Sequence, residues 1–263
     1  MFGCPNFPLF DMTDWEKERQ NAHELQPSHR RHVLGTEKYV MRIPLRLEET
    51  DYFGGTHDVE LTRLHDINLV QATKVVREFT SVPIPNVIHY DRTMTVLEKI
   101  EGVDLDSAWD RVSPRQLAGI KLELQSYIKQ LWTIPNLASD IFAVGTLCDT
   151  HEILFGDRAY PHQGPFRTTA EYRLHVPGLF GRNPHFPQNV KPVFDHMDWF
   201  QSNIIILPNL DKIAGIIDWE YAGFIPDPQD MHVGDVPIDE WRRPEWANIF
   251  EGLEQPRLEM NVF

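Results

Sequence analysis

Cysteine is almost missing from this chain: Cys4 and Cys148 are the only two in 263 residues, and neither belongs to a Cys-x-x-Cys pair. That argues against a disulfide framework or a structural zinc site, and a reducing, cytoplasmic setting is expected. No stretch approaches the roughly 18 continuous apolar residues of a membrane span, and no basic N-terminal segment leads into an apolar run. Membrane insertion and classical secretion are therefore not expected. Positive charge is also scarce. Twenty-five Lys and Arg stand against 39 Asp and Glu, a formal net charge of −14, which disfavours a nucleic-acid or anionic-membrane partner. Internal repeats and low-complexity tracts are absent. The histidines, including His29-Arg30-Arg31-His32, lack the company of a metal site, so a solvated basic segment is expected there.

What the chain does have is enough apolar content, 41%, to bury a substantial core, most simply as one bilobal unit or two intimate domains. Residues 1–32 are polar, charged and proline-containing, and read as an N-terminal tail or docked arm. Residues 33–102 form a smaller lobe: a strand at Tyr39 to Ile43, a helix at about Ile67 to Phe79, and strands at Asn86 to His89 and Met94 to Ile100. Gly54-Gly55 marks a loop between the first strand and the helix. Residues 103–263 form a larger, mainly helical lobe. There Ser113 caps a helix with Pro114 in its first turn, and Leu117, Ile120, Leu124, Tyr127, Ile128 and Leu131 mark its apolar face. A second helix follows Thr168-x-x-Glu171, a capping box. A proline-rich loop leads into residues 193–220, and short helices such as Pro244 to Leu253 are expected near the end.

The stretch from Val193 to Glu220 carries the chemistry. Two apolar, β-branched runs, Ile204 to Leu207 and Ile213 to Ile217, flank the turn-forming Pro208-Asn209-Leu210-Asp211-Lys212, which predicts a hairpin. With the fold-back near Leu210 and Asp211, Asn203 lies opposite Asp218. Two oxygen ligands then converge where a hard cation such as Mg2+ would sit, with water and phosphate oxygens completing its shell. Asp198, five residues before Asn203, places a carboxylate nearby to accept a proton from a hydroxyl. Singly, each is an ordinary turn, cap or structural residue. Together, the histidine-x-aspartate of His196 and Asp198, Asn203 and Asp218 follow the catalytic-loop and metal-loop logic of phosphoryl transfer.

On these residues the chain resembles the aminoglycoside phosphotransferase-like branch of the protein-kinase-like superfamily, in particular its fungal set. The likeness extends through Ile216 to Glu220, Ala222 to Phe224 and Pro226, and covers most of the chain from about residue 38. Met197 stands where the bacterial resistance enzymes have glycine. Val75 to Pro85 resembles the family's helix end and its Thr-Ser-hydrophobic-Pro-x-Pro connector, Gly164-Pro165-Phe166 is a further family-like element, and Thr95 to Gly102 resembles the strand and hinge. The resemblance implies an α+β, bilobal kinase-like fold and the cofactors ATP and Mg2+. It makes Asp198 and His196 catalytic, Asn203 and Asp218 metal ligands, and Glu98, Lys99 and Ile100 nucleotide-binding through their backbone. It also places Arg42 where the family has a phosphate-binding basic residue. The alternative for Arg42 is a charged residue on the exposed face of a strand.

The smaller lobe departs from the pattern. The alignment puts Leu69 where the partner glutamate of the basic residue belongs, leaving Asp66 or Gln71 as substitutes, and no glycine-rich loop precedes Arg42. Two functions follow from this mixture. The first is an ATP-dependent phosphotransferase acting on a small-molecule hydroxyl. The second is a kinase-fold binding or scaffold protein without efficient turnover. Protein-kinase activity ranks behind both, because the Asp-Phe-Gly and Ala-Pro-Glu signatures are missing.

Overall fold

A computed structural model describes residues 17–18, 20–26, 30–50, 54, 58–136, 144–151, 164–180, 191–226, 246 and 249–254. Cys4, His29, Gly55, the proline-rich segment at 181–190 and the start of the expected helix at Pro244 lie outside the described residues. By its contacts the chain divides into two compact units, Met1–Asp66 with Pro85–Ile100, and Ile67–Ile84 with Glu101–Phe263. The division falls within a single helix, between Asp66 and Ile67. In this division the smaller unit ends at Ile100, and the second half of that helix belongs to the larger unit.

The smaller unit is built on a five-stranded antiparallel sheet. Its strands are β1 (His23–Gln26), β2 (Arg31–Gly35), β3 (Tyr39–Pro44), β4 (Val87–Tyr90) and β5 (Thr95–Glu98), in the order β1-β2-β3-β5-β4. Two of these strands correct the expectation for residues 1–32: β1 and the start of β2 are members of the sheet, so the segment is docked from His23 onward. The register aligns Val33 with Arg42 and Arg42 with Thr95, while Leu34 pairs with Met41 and Met41 with Val96. Because side chains alternate across a strand, the sheet sorts itself into two faces. Met41, Val96 and Met94 form a core on one face with Leu34, Tyr39, Ile43 and Ile88 packed against them, and Arg42 and Thr95 lie on the other.

Helix α1 (Val59–Phe79) begins eight residues before the predicted start. Its first two turns are mostly polar and show no helical apolar stripe, but Asp58 caps them: its carboxylate accepts from Leu61 N–H at 3.0 Å and its carbonyl from the Thr62 hydroxyl at 2.9 Å. Gly54, on the loop before it, has a φ of 76° in open space.

In the larger unit β6 (Val103–Asp104), helix α2 (Leu105–Ala108), helix α3 (Pro114–Leu131), β7 (Gly145–Thr146), helix α4 (Thr169–Phe180), β8 (Val193–Asp195), β9 (Ile204–Ile206), β10 (Ile213–Ile216) and β11 (Gly223–Ile225) follow in order. The strands form two three-stranded sheets, β10-β9-β6 and β7-β11-β8. Helix α3 is capped as expected: Ser113 and Gln116 make a reciprocal box, and Ile120, Leu124, Ile128 and Leu131 are fully buried. Thr168 caps α4 through the N–H of Glu171 at 3.0 Å. Near the C-terminus Trp246 lies in a 3-10 conformation and residues 249–252 in turns, with Trp246, Ile249, Phe250 and Leu253 buried. Among the described residues no helix is long and apolar enough to cross a membrane.

Candidate active site

The predicted hairpin forms from β9 and β10, but its register is one residue off the expectation. Ile204 pairs with Ile216, and the N–H of Ile217 donates to the carbonyl of Asn203 at 3.0 Å. Asn203 therefore faces Ile217, and Asp218 is the next residue. The turn centres earlier than expected, with Leu207 N–H donating to the carbonyl of Lys212 at 2.9 Å; the register shift between Ile213 and Gly215, of the kind a β-bulge makes, recovers one of the two residues by which Asn203 and Asp218 would otherwise be out of register. Helix α3 holds the hairpin at two points. Gln116 donates to the carbonyl of Asn209 at 3.1 Å, and the Glu123 carboxylate accepts from Ile213 N–H at 3.0 Å. The other oxygen of Glu123 accepts from the Tyr127 hydroxyl at 2.9 Å. Partial burial, together with that bond and the charge of Glu123, pushes the Tyr127 phenol up to about 12.

Ahead of β9, the loop that carries Asp198 is knit together by its own polar groups. Asp195, fully buried at the end of β8, accepts from Met197 N–H and from the indole N–H of Trp199, each at 2.9 Å. The indole of Trp132, on the turn after α3, reaches its second oxygen at 3.4 Å. His196, also fully buried, receives the N–H of Asp198 on Nδ1 at 3.2 Å. That leaves its proton on Nε2, which donates to the carbonyl of Ile217 at 2.8 Å. Its ring packs against Trp199 and Trp219, with centroids 4.8 and 4.5 Å away. Both ring nitrogens meet backbone groups, so His196 ties the Asp198 loop to the residue before Asp218.

Asp198 and Asn203 are brought together directly. The Asn203 amide donates to the carboxylate oxygen Oδ2 of Asp198 at 2.8 Å and to its carbonyl at 2.9 Å. Both amide hydrogens are used, which leaves Oδ1 of Asn203 as an acceptor. Asp198 and Asp218 are half-buried. Asp218 sits at φ 67° and ψ 55°, and Met197 at φ 69°, a left-handed conformation that costs a non-glycine residue about 1–2 kcal/mol. Strained backbone of this kind gathers at functional sites.

Sequence reasoning missed two of the supports. Asp195 gave only one signal, a carboxylate closing an apolar strand. Asn68, on α1 and fully buried, donates to the carbonyls of Glu220 and Ala222 at 2.8 and 2.9 Å and accepts from Leu147 N–H at 2.6 Å. It anchors the 3-10 turn Trp219–Tyr221 that follows Asp218. It lies next to Leu69, the residue the family pattern had singled out as a loss.

In the smaller unit, Arg42 is 7% exposed, so it is not a charged residue on an outer face. Its Nε lies 3.5 Å from Oδ1 of Asp66 on α1, and Arg31 Nη2 lies 3.2 Å from the same oxygen. Asp66 is therefore the carboxylate partner, and Leu69 is a buried core residue. The solvated basic segment is corrected as well, since Arg31 is 5% exposed and Arg30 bonds Nδ1 of His65 at 2.7 Å. At the hinge, the N–H of Glu98 donates to the carbonyl of Asn86 and that of Lys99 to Lys38, both at 2.8 Å. The Glu98 carboxylate is bonded to Asn86, and Lys99 Nζ reaches the carbonyl of Thr36 at 2.8 Å. Of the three hinge candidates, only Ile100 has a backbone N–H that is not committed to these sheet contacts.

No family model and no curated protein matches the sequence. Solved structures do. The chain is similar to the gentamicin complex of APH(2")-IIa, at 13% identity over 92% of this chain and 81% of that one, with a TM-score of 0.56. It is also similar to ADP-bound aminoglycoside phosphotransferase APH(2'')-Ib, at 14% identity over 86% and 75% with a TM-score of 0.53. The fold is the aminoglycoside phosphotransferase fold. A third similar structure, APH(3'')-Id from Streptomyces rimosus, matches at 13% identity over 94% of each chain with a TM-score of 0.50.

Proposed function

We propose that the protein is an ATP-dependent phosphotransferase that moves the γ-phosphoryl group to a hydroxyl of a small molecule. The observation that supports this is the clamp of Asn203 on Asp198, which fixes one oxygen of the carboxylate and with it the orientation of the proposed base. In the reaction the acceptor oxygen attacks the γ-phosphorus, its proton passes to Asp198, and the bond to the departing ADP breaks. His196 and Asp195 keep the base in place. Arg42 engages the phosphates, and the backbone at Ile100 is the hinge donor for a purine.

Mg2+ fits the residues present. Asn203 has spent its N–H groups on Asp198 and turns an oxygen to any ligand, and Asp218 adds a carboxylate. Among the described residues no group of three or more His, Cys, Asp or Glu is placed to hold a metal ion, which suits a cation that brings phosphate and water oxygens with it. When bound, Mg2+ neutralises charge on the phosphates. The gentamicin and ADP complexes of the similar structures support a small-molecule acceptor and a nucleotide donor.

The second reading is a kinase-fold binding or scaffold protein. Its specific support is the commitment of the Glu98 and Lys99 N–H groups to the sheet, which removes two hinge donors from any purine. Turnover separates the two. Slow Mg-dependent release of phosphate from ATP is expected, and Asp198→Asn should lower it by about 10^2 to 10^4-fold. Equal rates in variant and wild type would remove Asp198 as the base. No ATP binding at millimolar nucleotide would favour the scaffold.

A further inference from the structure

Three adjacent strands of the five-stranded sheet place donor groups on one face. Arg42 on β3 pairs directly with Thr95 on β5 and with Val33 on β2, and Arg31 lies two residues from Val33 on the same face. The two guanidiniums meet at Asp66, both approaching the same oxygen at 3.2 and 3.5 Å. These contacts place the two guanidiniums side by side. Thr95 supplies an independent observation. It is fully buried, and its hydroxyl has no hydrogen-bond partner among the described residues, a state that calls for a ligand or another explanation.

A guanidinium has donors and no acceptor, and a hydroxyl beside it adds one more donor. The complementary ligand is rich in acceptors and negatively charged, and a chain of phosphate groups has both properties. Kinase-like folds supply part of this contact from peptide N–H groups of a glycine-rich loop. Here β1 and β2 are joined through Pro27, Ser28, His29 and Arg30, without a glycine.

We propose that Arg31, with Thr95, is a second polyphosphate-binding position beside Arg42, so that side chains of β2, β3 and β5 take over the work of the missing loop. Asp66 orients both guanidiniums from below. The inference rests on the nucleotide reading for its biological ligand, but the anion-binding face is testable without adenine.

The test is calorimetric titration of the full chain with inorganic tripolyphosphate, adenosine and Mg-ATP as separate probes. Tripolyphosphate should bind the wild type despite its net charge of −14, which opposes nonspecific anion binding. Arg31→Met should weaken tripolyphosphate and ATP by about 10-fold, roughly the loss of one charge-assisted contact, and leave adenosine unchanged. Thr95→Val should weaken both phosphate ligands about 3-fold with an equal or higher melting temperature, because the hydroxyl it removes has no partner among the described residues. Wild-type tripolyphosphate affinity in Arg31→Met overturns the proposal. Should that variant not fold, Arg31→Lys, which keeps the charge and loses the fork, and Thr95→Val decide it by the same criterion. Tripolyphosphate binding without Mg-ATP binding keeps the anion face and removes the nucleotide reading. Mg-ATP binding that Arg31→Met does not weaken does the reverse, and binding of neither ligand overturns both.

Discussion

Between Asp195 and Asp218 the polar contacts join residues that are close in sequence: Asp195 to Met197 and Trp199, His196 to Asp198, and Asp198 to Asn203. In the five-stranded sheet the corresponding contacts join Arg31 on β2, Arg42 on β3 and Asp66 on α1, separated by loops and strand pairings. A local network leaves a spacing pattern that can be read from one chain. A distributed one leaves only residue types, whose partners emerge when strand register is known. The hairpin side of the proposed chemistry was therefore legible, and the phosphate-holding side was not.

The comparison can be broken first at Asp195. If the loop is held by its own network, Asp195→Ala strands the Met197 N–H and the Trp199 indole, and loosens Trp132. Stability should fall by about 3 kcal/mol or more, since each buried donor left unsatisfied costs about 1–3 kcal/mol. Urea unfolding checks this, and a loss below about 0.5 kcal/mol would show that the loop is held from elsewhere.

A smaller effect of opposite sign is expected at Met197. Its left-handed φ of 69° is strained for methionine and relaxed for glycine, so Met197→Gly should stabilise the protein by about 1 kcal/mol, the left-handed penalty less the greater backbone entropy of glycine. A lower midpoint in the same urea experiment would mean that the methionine side chain contributes more than its backbone conformation costs.

The smallest effect concerns the brace that α3 puts on the hairpin. Tyr127 is raised in the folded protein to about 12 from an ordinary value of 10.0. A raised folded value means that its contribution is complete below pH 10 and is lost as the pH climbs through 12. The stability difference between wild type and Tyr127→Phe should accordingly be constant from neutral pH to about 10 and close above it. A gap that persists at pH 12 would detach Tyr127 from Glu123.

The same contrast explains what could be anticipated of the fold. Helix α3 was clear because Ser113, Pro114 and a regular apolar face lie within its own sequence. Helix α1 was entered late because its first turns, Val59 to Asp66, are mostly polar and show no helical stripe, and their cap, Asp58, is one acidic residue among many. For β1 and the first two residues of β2 the sequence offers only a tail or a docked arm, because His23, Glu24, Gln26, Arg31 and His32 give no alternation of polar and apolar residues; sheet pairing overrides that weak local preference. The hairpin was predicted correctly in kind but one residue out in register, since nothing in Pro208-Asn209-Leu210-Asp211-Lys212 announces on which residues the turn will centre. His196 was visible as a member of the motif, but its two bonds, to Asp198 N–H and to the Ile217 carbonyl, depend on how the loop and hairpin come together and could not be read from the spacing.

The central claim is that Asn203 and Asp218 hold the cation that carries the nucleotide, and the most direct test is calorimetry of ATP binding with and without Mg2+. The wild type should bind ATP more tightly in the presence of Mg2+, and Asp218→Ala should abolish most of that difference, about 10-fold or more for a cation that loses its one carboxylate. Identical Mg-ATP affinity in wild type and Asp218→Ala would contradict the account.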